Sequence, residues 1–509
     1  VSKGMSTPTL FCLHALGSSG GEFAALTAEL GDTFDVVAID LPGFGHASTA
    51  TGTTIDEMVR HVIREIKQHP AGRWMIVGHS MGGKIATLVA KRTLDGTAGL
   101  FGLSGVVLLA ASPPSPEPMT DESRAQSIAM AADGPVSAAD ARSFIDDNVG
   151  APLDAAADAR ALDDVQHSDP EAWRAWFERG SREDHLAAVG TLDVPAAIVA
   201  GGADGDLGPD AQRRLNAPVY PRADVTVLDG AGHLLPYERP REVADVILRL
   251  WNDHAGRGPV VPDDVIRTIA SARTSTKTRA ILARRALADE PDHAPRSMTA
   301  EQLATFRAIA DRVVPQGSGP EQPHPHDAID IAARVDSQLA REHSDGWRNA
   351  ALPPDPEAYR LALDVLADFA SLTETEQDAT IEALIDGSYE PGGDAALDAK
   401  QLSLWFEDCR VDLVRTWLAH PATMARVGFD GYANGGDLTR IQGFQRLGAG
   451  EREGWEPAMP AAPGAAAVPA AFTATQAATT AQPATTPQAA TTAEAATTPQ
   501  AATTAGETR

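Results

Sequence analysis

The pentapeptide Gly78-His79-Ser80-Met81-Gly82 sets a serine between two glycines, after the apolar run WMIVGH and before the helical pattern MGGKIATLVAKR. A serine between a strand and a helix occupies a sharp, strained turn, and close backbone packing there requires neighbours without bulk two residues to either side. The hydroxyl of Ser80 is then held out at the carboxyl end of the sheet, where it can attack a carbonyl carbon. Serine is a poor nucleophile at neutral pH and needs a base with a pKa of about 6.5, which points to histidine. His233, in LDGAGHLLPYERP, follows the last predicted strand and precedes the closing helix, on a loop at the carboxyl edge of the sheet.

The base needs a carboxylate on its other nitrogen to fix its tautomer and stabilise the imidazolium. Asp204, in VAGGADGDLGP, follows the predicted strand Ala196–Ala200; Asp206 competes, and distance from the strand end favours Asp204. The preceding strand runs out into AASPP with no carboxylate, which removes the other common position for the acid. The oxyanion of a tetrahedral intermediate needs two preorganised backbone N–H donors. Met81, first in the helix after the serine, and Leu16, in the glycine-rich LHALGSSGG, are the expected donors. His14 is expected to orient that loop.

These residues need a scaffold, and the chain supplies one pattern from Thr9 to about residue 252. Short β-branched runs alternate there with longer amphipathic stretches, the signature of parallel strands joined by crossover helices. Strands are predicted at Thr9–His14, Asp35–Leu41, Trp74–His79, Gly105–Ala110, Ala196–Ala200 and Asp224–Leu228. Residues 112–191, rich in Pro, Ala and Asp with helical spacing around Trp173, Trp176 and Phe177, read as a lid insertion. The resulting division is an α/β domain at 6–255, a linker at 256–296, an all-α domain at 297–457 and a tail at 458–509.

In the all-α part, Thr299 with Gln302 and Thr373 with Glu376 form capping-box patterns. A third helix pattern runs through Leu402, Trp405, Phe406, Cys409, Leu413 and Trp417. The tail repeats ATT every six residues from Ala478 to Thr504 and lacks the large apolar residues a core needs, so disorder is expected.

Composition limits the partners. The 509 residues carry 42 Lys and Arg against 70 Asp and Glu, a net charge of −28, which argues against nucleic acid and anionic lipid. Cys12 and Cys409 have no metal or redox spacing and read as core residues of a reduced, cytoplasmic protein. No export signal and no apolar run of membrane-spanning length is evident. No dinucleotide fingerprint is seen, so no flavin or other cofactor is expected on this chain. The cluster His324-Pro-His326-Asp327 reads as a polar loop rather than a metal site, since proline spacing does not put its ligands on one helical face.

The motifs LHALGSSG, DLPGFGHAS, VGHSMGGKIA, GADGDLGP and GAGHLLPYERP, in this order, resemble the α/β-hydrolase superfamily over about residues 7–252. The resemblance implies a mostly parallel sheet with helices on both faces and a helical lid, here lacking the two antiparallel strands that usually precede the LH motif. It implies catalysis by Ser80, Asp204 and His233, with small esterases, enol-lactonases and cofactor-free haloperoxidase-like enzymes as the most similar subfamilies. A serine in the turn, rather than an aspartate, argues against dehalogenase and epoxide hydrolase chemistry.

Residues 298–455 resemble the gluconate 2-dehydrogenase subunit 3 family through MTAEQLATFRAIADRVVPQ, WFEDCRVDLVRTWLAHP and FDGYANGGD ending at EGWEP. That resemblance implies a flavin-dependent sugar oxidoreductase as partner. Two functions follow as expectations: an ester or lactone hydrolase, or an accessory subunit whose first half is a scaffold or a coupled lactonase.

Overall fold

The computed structural model describes residues 7–47, 52–69, 72–316, 327–341 and 349–437. Among these, six strands form one sheet: β1 (Thr9–Leu13), β2 (Asp35–Ile39), β3 (Trp74–His79), β4 (Leu103–Leu109), β5 (Ala196–Gly201) and β6 (Ala223–Leu228). Their order is β2-β1-β3-β4-β5-β6 and every pairing is parallel. The strand positions read from the sequence agree with these to within a residue or two.

The near-continuous apolar runs of the central strands follow from a sheet covered on both faces. Alternate residues divide between two cores. Phe11, Leu13, Ile76, Val106, Leu108 and Ile198 face one side with the helices Ile55–Gln68 and Met81–Leu94. Leu10, Cys12, Met75, Val77, Val107 and Val199 face the other with the helices Ala24–Leu30 and Pro240–Leu250. Helix Ile55–Gln68 shows how sequence becomes packing: Ile55, Met58, Val59, Val62, Ile63 and Ile66 form its buried stripe. Its start is set by a capping box between Thr54 and Glu57, an arrangement that typically contributes about 1 kcal/mol.

Between β4 and β5 the lid contributes the helices Asp121–Ala129, Ala138–Asn148, Ala155–His167 and Pro170–Glu178. Thr120, Ser137, Asp154 and Asp169 cap them. Buried Lys84, on the helix after the serine turn, fastens the lid by donating to the carbonyls of Gly180 (3.1 Å) and Glu183 (3.0 Å).

Residues 256–296, read from the sequence as linker, hold the helices Asp263–Ala270 and Thr276–Arg285. Ile266, Ile269, Leu282 and Leu287 join the core of the first sheet face. The basic character that obscures this pattern has a structural use: buried Arg279 donates to the carbonyls of Ile269, Gly96, Ser271 and Thr274. A charge whose donors are all satisfied can be buried within a core face.

The helices Ala300–Val313, Ile331–Ala340, Asp355–Val365, Glu374–Asp386 and Ala399–Leu418 pack around Phe306, Tyr359, Leu363, Trp405, Phe406 and Cys409. The capping boxes at Thr299 and Thr373 are present, and Asp398 with Gln401 makes a third. Buried Asp336 accepts hydrogen bonds from His293 Nε2 (2.9 Å) and the amides of Arg296 (2.8 Å), Ser297 (2.9 Å) and Met298 (3.0 Å). One carboxylate thus closes the joint between the 256–296 stretch and the helices that follow. The YANGGD segment returns to that stretch: Asp437 accepts from Thr276 N, and Gly435 N donates to Arg273 O at 3.0 Å. His324, His326 and the Ala/Thr/Pro-rich stretch 458–509 lie outside the described residues.

Candidate active site

β3 ends at His79, and Ser80 carries the turn into the helix Met81–Leu94 with φ 48° and ψ −118°. Positive φ is strained for a non-glycine residue, and such strain persists only where surrounding packing enforces it. The enforcing contacts are backbone to backbone. A Cβ on Gly78 would lie 2.4 Å from Gly82 O, and one on Gly82 would lie 2.3 Å from Leu13 O. Just past the neighbouring strand β4, Ala110 also has positive φ, 40°. Two residues on, Ser112 donates its amide to Ser80 O at 2.9 Å, which holds the turn from the end of β4.

His233 lies on the loop after β6. Its Nδ1 stands 2.8 Å from Asp204 Oδ2, and Asp204 Oδ1 accepts the Leu207 amide at 3.3 Å. Asp206 remains exposed beside this pair. Burial disfavours protonation of His233, but the Asp204 carboxylate and its hydrogen bond, with further help from Glu117 and Glu22, outweigh burial and raise its pKa above 6.5. Burial likewise works against ionised Asp204, and the charge and hydrogen bond of His233 prevail, so its pKa falls below 3.8. Burial first, then the Asp204 charge, raises the pKa of Asp206.

Ser80, Asp204, His233 and Leu16 line a single cavity of about 400 Å³ roofed by lid residues. Met81 is fully buried as the first residue of its helix, where a first-turn N–H has no intrahelical partner. Leu16 follows β1 in the loop that His14 holds. The His14 Nδ1 donates to Ala15 O at 2.7 Å, and Nε2 accepts the Leu41 amide at 2.9 Å. Both contacts suit a neutral ring, and burial, the largest influence, lowers its pKa.

Several residues around the site had no signature in the sequence. Glu22 and His79 form a fully buried pair at 3.0 Å. Glu22 Oε1 also accepts the Ala15 amide at 3.3 Å, while His79 Nε2 donates to His233 O at 2.8 Å. This chain of contacts joins the Leu16 loop, the serine strand and the histidine loop behind the cavity. From the lid, Asn148 O accepts the His233 amide at 2.8 Å. Glu238 Oε2 accepts the amides of Gly150 (2.8 Å) and Gly232 (3.0 Å), pinning the lid to the same loop. Glu22 adjoins the glycine-rich loop at GSSGGEF, yet nothing in that spacing indicates a partner 57 residues away.

A doubly covered parallel sheet with a serine turn after its third strand and a histidine–carboxylate pair at its carboxyl edge defines an α/β-hydrolase fold. Residues 10–246 match the family model described as "Alpha/beta hydrolase family", and residues 300–434 match "Gluconate 2-dehydrogenase subunit 3". Residues 10–246 thus form an alpha/beta hydrolase family domain, followed at 300–434 by a segment matching gluconate 2-dehydrogenase subunit 3.

Among curated proteins, the chain is 27% identical over 298 residues to the biotin biosynthesis bifunctional protein BioHC of Teredinibacter turnerae, covering 54% of this chain and 50% of that protein. It is 28% identical over 88 residues to the pimeloyl-[acyl-carrier protein] methyl ester esterase of Vibrio vulnificus, covering 17% of this chain and 33% of the relative. The chain thus spans half or less of the length of these relatives. Among solved structures, a bromoperoxidase from Bacillus anthracis aligns at 17% identity and TM-score 0.44, covering 49% of this chain and 93% of the other. The enol-lactonase from Burkholderia xenovorans LB400 aligns at 22% identity and TM-score 0.42 with the same coverage, 49% and 93%. Among the described residues, no helix is long and apolar enough to cross a membrane.

Proposed function

We propose that the chain is a serine hydrolase that cleaves a carboxylic ester or lactone through an acyl-enzyme on Ser80. The observation that carries this reading is the 2.8 Å His233–Asp204 pair on the same cavity as a serine held at φ 48°. In the first half-reaction Ser80 Oγ attacks the carbonyl carbon and His233 takes the hydroxyl proton. The amides of Leu16 and Met81 receive the oxyanion; His233 then returns the proton to the leaving alcohol as the C–O bond breaks. In the second, His233 deprotonates water, which attacks the acyl-enzyme, and the proton goes back to Ser80 Oγ as the acid leaves. Asp204 keeps its negative charge throughout and stabilises the imidazolium.

The domain division supports a coupled use. Residues 300–434 match a family named for a dehydrogenase subunit. A flavin-dependent oxidoreductase partner is the second reading, with the hydrolase half opening lactones that such a partner forms. A reduced, cytoplasmic setting belongs to the proposal and is supported by two cysteines that are both free and buried.

Labelling with a fluorophosphonate separates enzyme from scaffold. Wild-type protein is expected to label, Ser80→Ala is not, and folded wild-type protein that resists labelling would favour the scaffold. Loss of ester hydrolysis in Ser80→Ala should reach about 10⁶-fold, with His233→Ala nearly as damaging and the double variant little worse.

A further inference from the structure

Apart from His233, the charged side chains on the cavity over Ser80 share one sign. Glu117, Asp147, Asp204 and Asp206 lie on its lining, and among the described residues no lysine or arginine does. The remaining wall is apolar or neutral, with Met119, Met130, Phe144, Trp176 and Phe177 contributed by the lid. The four carboxylates are differently placed. Asp204 is committed to His233. Asp147 and Asp206 are exposed, while Glu117 is half-buried and accepts a hydrogen bond from the Ser112 hydroxyl.

The cations nearest Glu117 are turned away from the cavity. Lys84 donates to Gly180 O and Glu183 O, and Arg124 donates to Phe177 O and Ser181 Oγ. They offset part of the Glu117 charge, and neither lines the cavity. Burial dominates at Glu117 and raises its pKa, and at Asp206 burial and then the Asp204 charge do the same, so only the Asp206 shift reports repulsion between carboxylates.

We propose that this cavity selects its substrate by charge: it accepts esters or lactones whose body is uncharged or carries an ammonium group, and it rejects those carrying a carboxylate or phosphate. The inference rests on the serine hydrolase reading and adds the substrate class. A carboxylate substrate would bring its charge beside Asp147, Asp206 and Glu117 with no basic side chain to receive it. At roughly 8 Å across water-like dielectric each such pair weakens binding about twofold. The three together predict a penalty of about fivefold to tenfold, the lower figure applying where Glu117 is protonated or is offset by Lys84 and Arg124. An alkylammonium meets the same charges with opposite sign, and the rings of Phe144 and Phe177 add attraction for a cation.

The test uses the full chain and three aryl esters of equal acyl length, ending in methyl, trimethylammonium or carboxylate. At low salt, kcat/KM for the carboxylate ester is expected to fall about fivefold to tenfold below the methyl ester, with the trimethylammonium ester equal or faster. The ratio should close at about 0.5 M salt, where screening shortens the reach of exposed charges to a few ångströms. Asp147→Asn combined with Asp206→Asn should narrow the methyl-to-carboxylate ratio to within about twofold. Ser80-dependent hydrolysis of the carboxylate ester at or above the methyl rate would overturn the charge selection and leave the hydrolase reading standing. Unchanged turnover of all three esters by Ser80→Ala would overturn the hydrolase reading itself.

Discussion

Gly82→Ala tests whether the serine turn and the oxyanion loop are held together by contact alone. The added Cβ would lie 2.3 Å from Leu13 O, 2.7 Å from Leu13 C and 2.8 Å from His14 O, all backbone atoms. Reaching the 3.4 Å at which ordinary contact begins requires the two backbones to part by 1.1 Å, the difference 3.4 − 2.3. β1 cannot retreat, since it is paired with β2 on one side and β3 on the other. The helix start must lift instead, and a sideways escape is hindered because Gly83 is packed so closely on Ala111 that a Cβ added to it would lie 2.3 Å from Ala111 Cβ. The lift displaces the Met81 amide and Ser80 by about 1 Å, and a misplacement of that size costs about 10²-fold in rate. Forced overpacking should also destabilise the fold by about 1–3 kcal/mol, or about 2–12 °C in Tm for a domain of this size. Steady-state ester hydrolysis and thermal melts measure both, with Gly392→Ala, where a Cβ meets nothing within 4 Å, as the control. A Gly82→Ala variant melting within a degree of wild type and turning over within twofold would refute the argument from backbone contact.

Four further outcomes follow from the site and its supports. Because the pKa of His233 is raised, the acid limb of kcat/KM should have its midpoint above 6.5, and Asp204→Asn should move it down and cut the rate by about 10⁴-fold; an unmoved midpoint would disprove the assignment. The same pair links stability to pH: the His233 contribution is complete below 6.5 and is lost as pH rises through its folded value, whereas that of Asp204 is complete above 3.8 and is lost as pH falls through its lowered value. Glu22→Gln keeps an acceptor for the Ala15 amide but removes the charge facing His79 and His233. Turnover should fall about tenfold with KM little changed and the acid limb moved down, whereas a purely structural role would lower Tm and leave the pH profile alone. Asp336→Ala strands one imidazole and three backbone amides and should cost about 3–5 kcal/mol by calorimetry, while a loss under about 1 kcal/mol would show that the joint does not depend on this carboxylate.

The sequence alone was sufficient for the sheet and for the positions of Ser80, Asp204 and His233 along it, because those features are local. A strand needs only its own apolar run, a strained turn only its own glycines, and a capping box only four consecutive residues, as at Thr299 and Thr373. The 256–296 stretch was illegible for the complementary reason: Arg279 reads as solvent-facing until the carbonyls of Gly96 and Ile269 are brought to it. The Glu22–His79 pair, the Glu238 bridge between Gly150 and Gly232, and the carboxylates gathered on the cavity lining likewise join residues from separate elements. Each is a buried or converging charge whose meaning depends on what folding places opposite it, and periodicity contains no record of that. Sequence determined where chemistry could be placed; tertiary structure decided which loops hold it in register and which charges a substrate meets on entering.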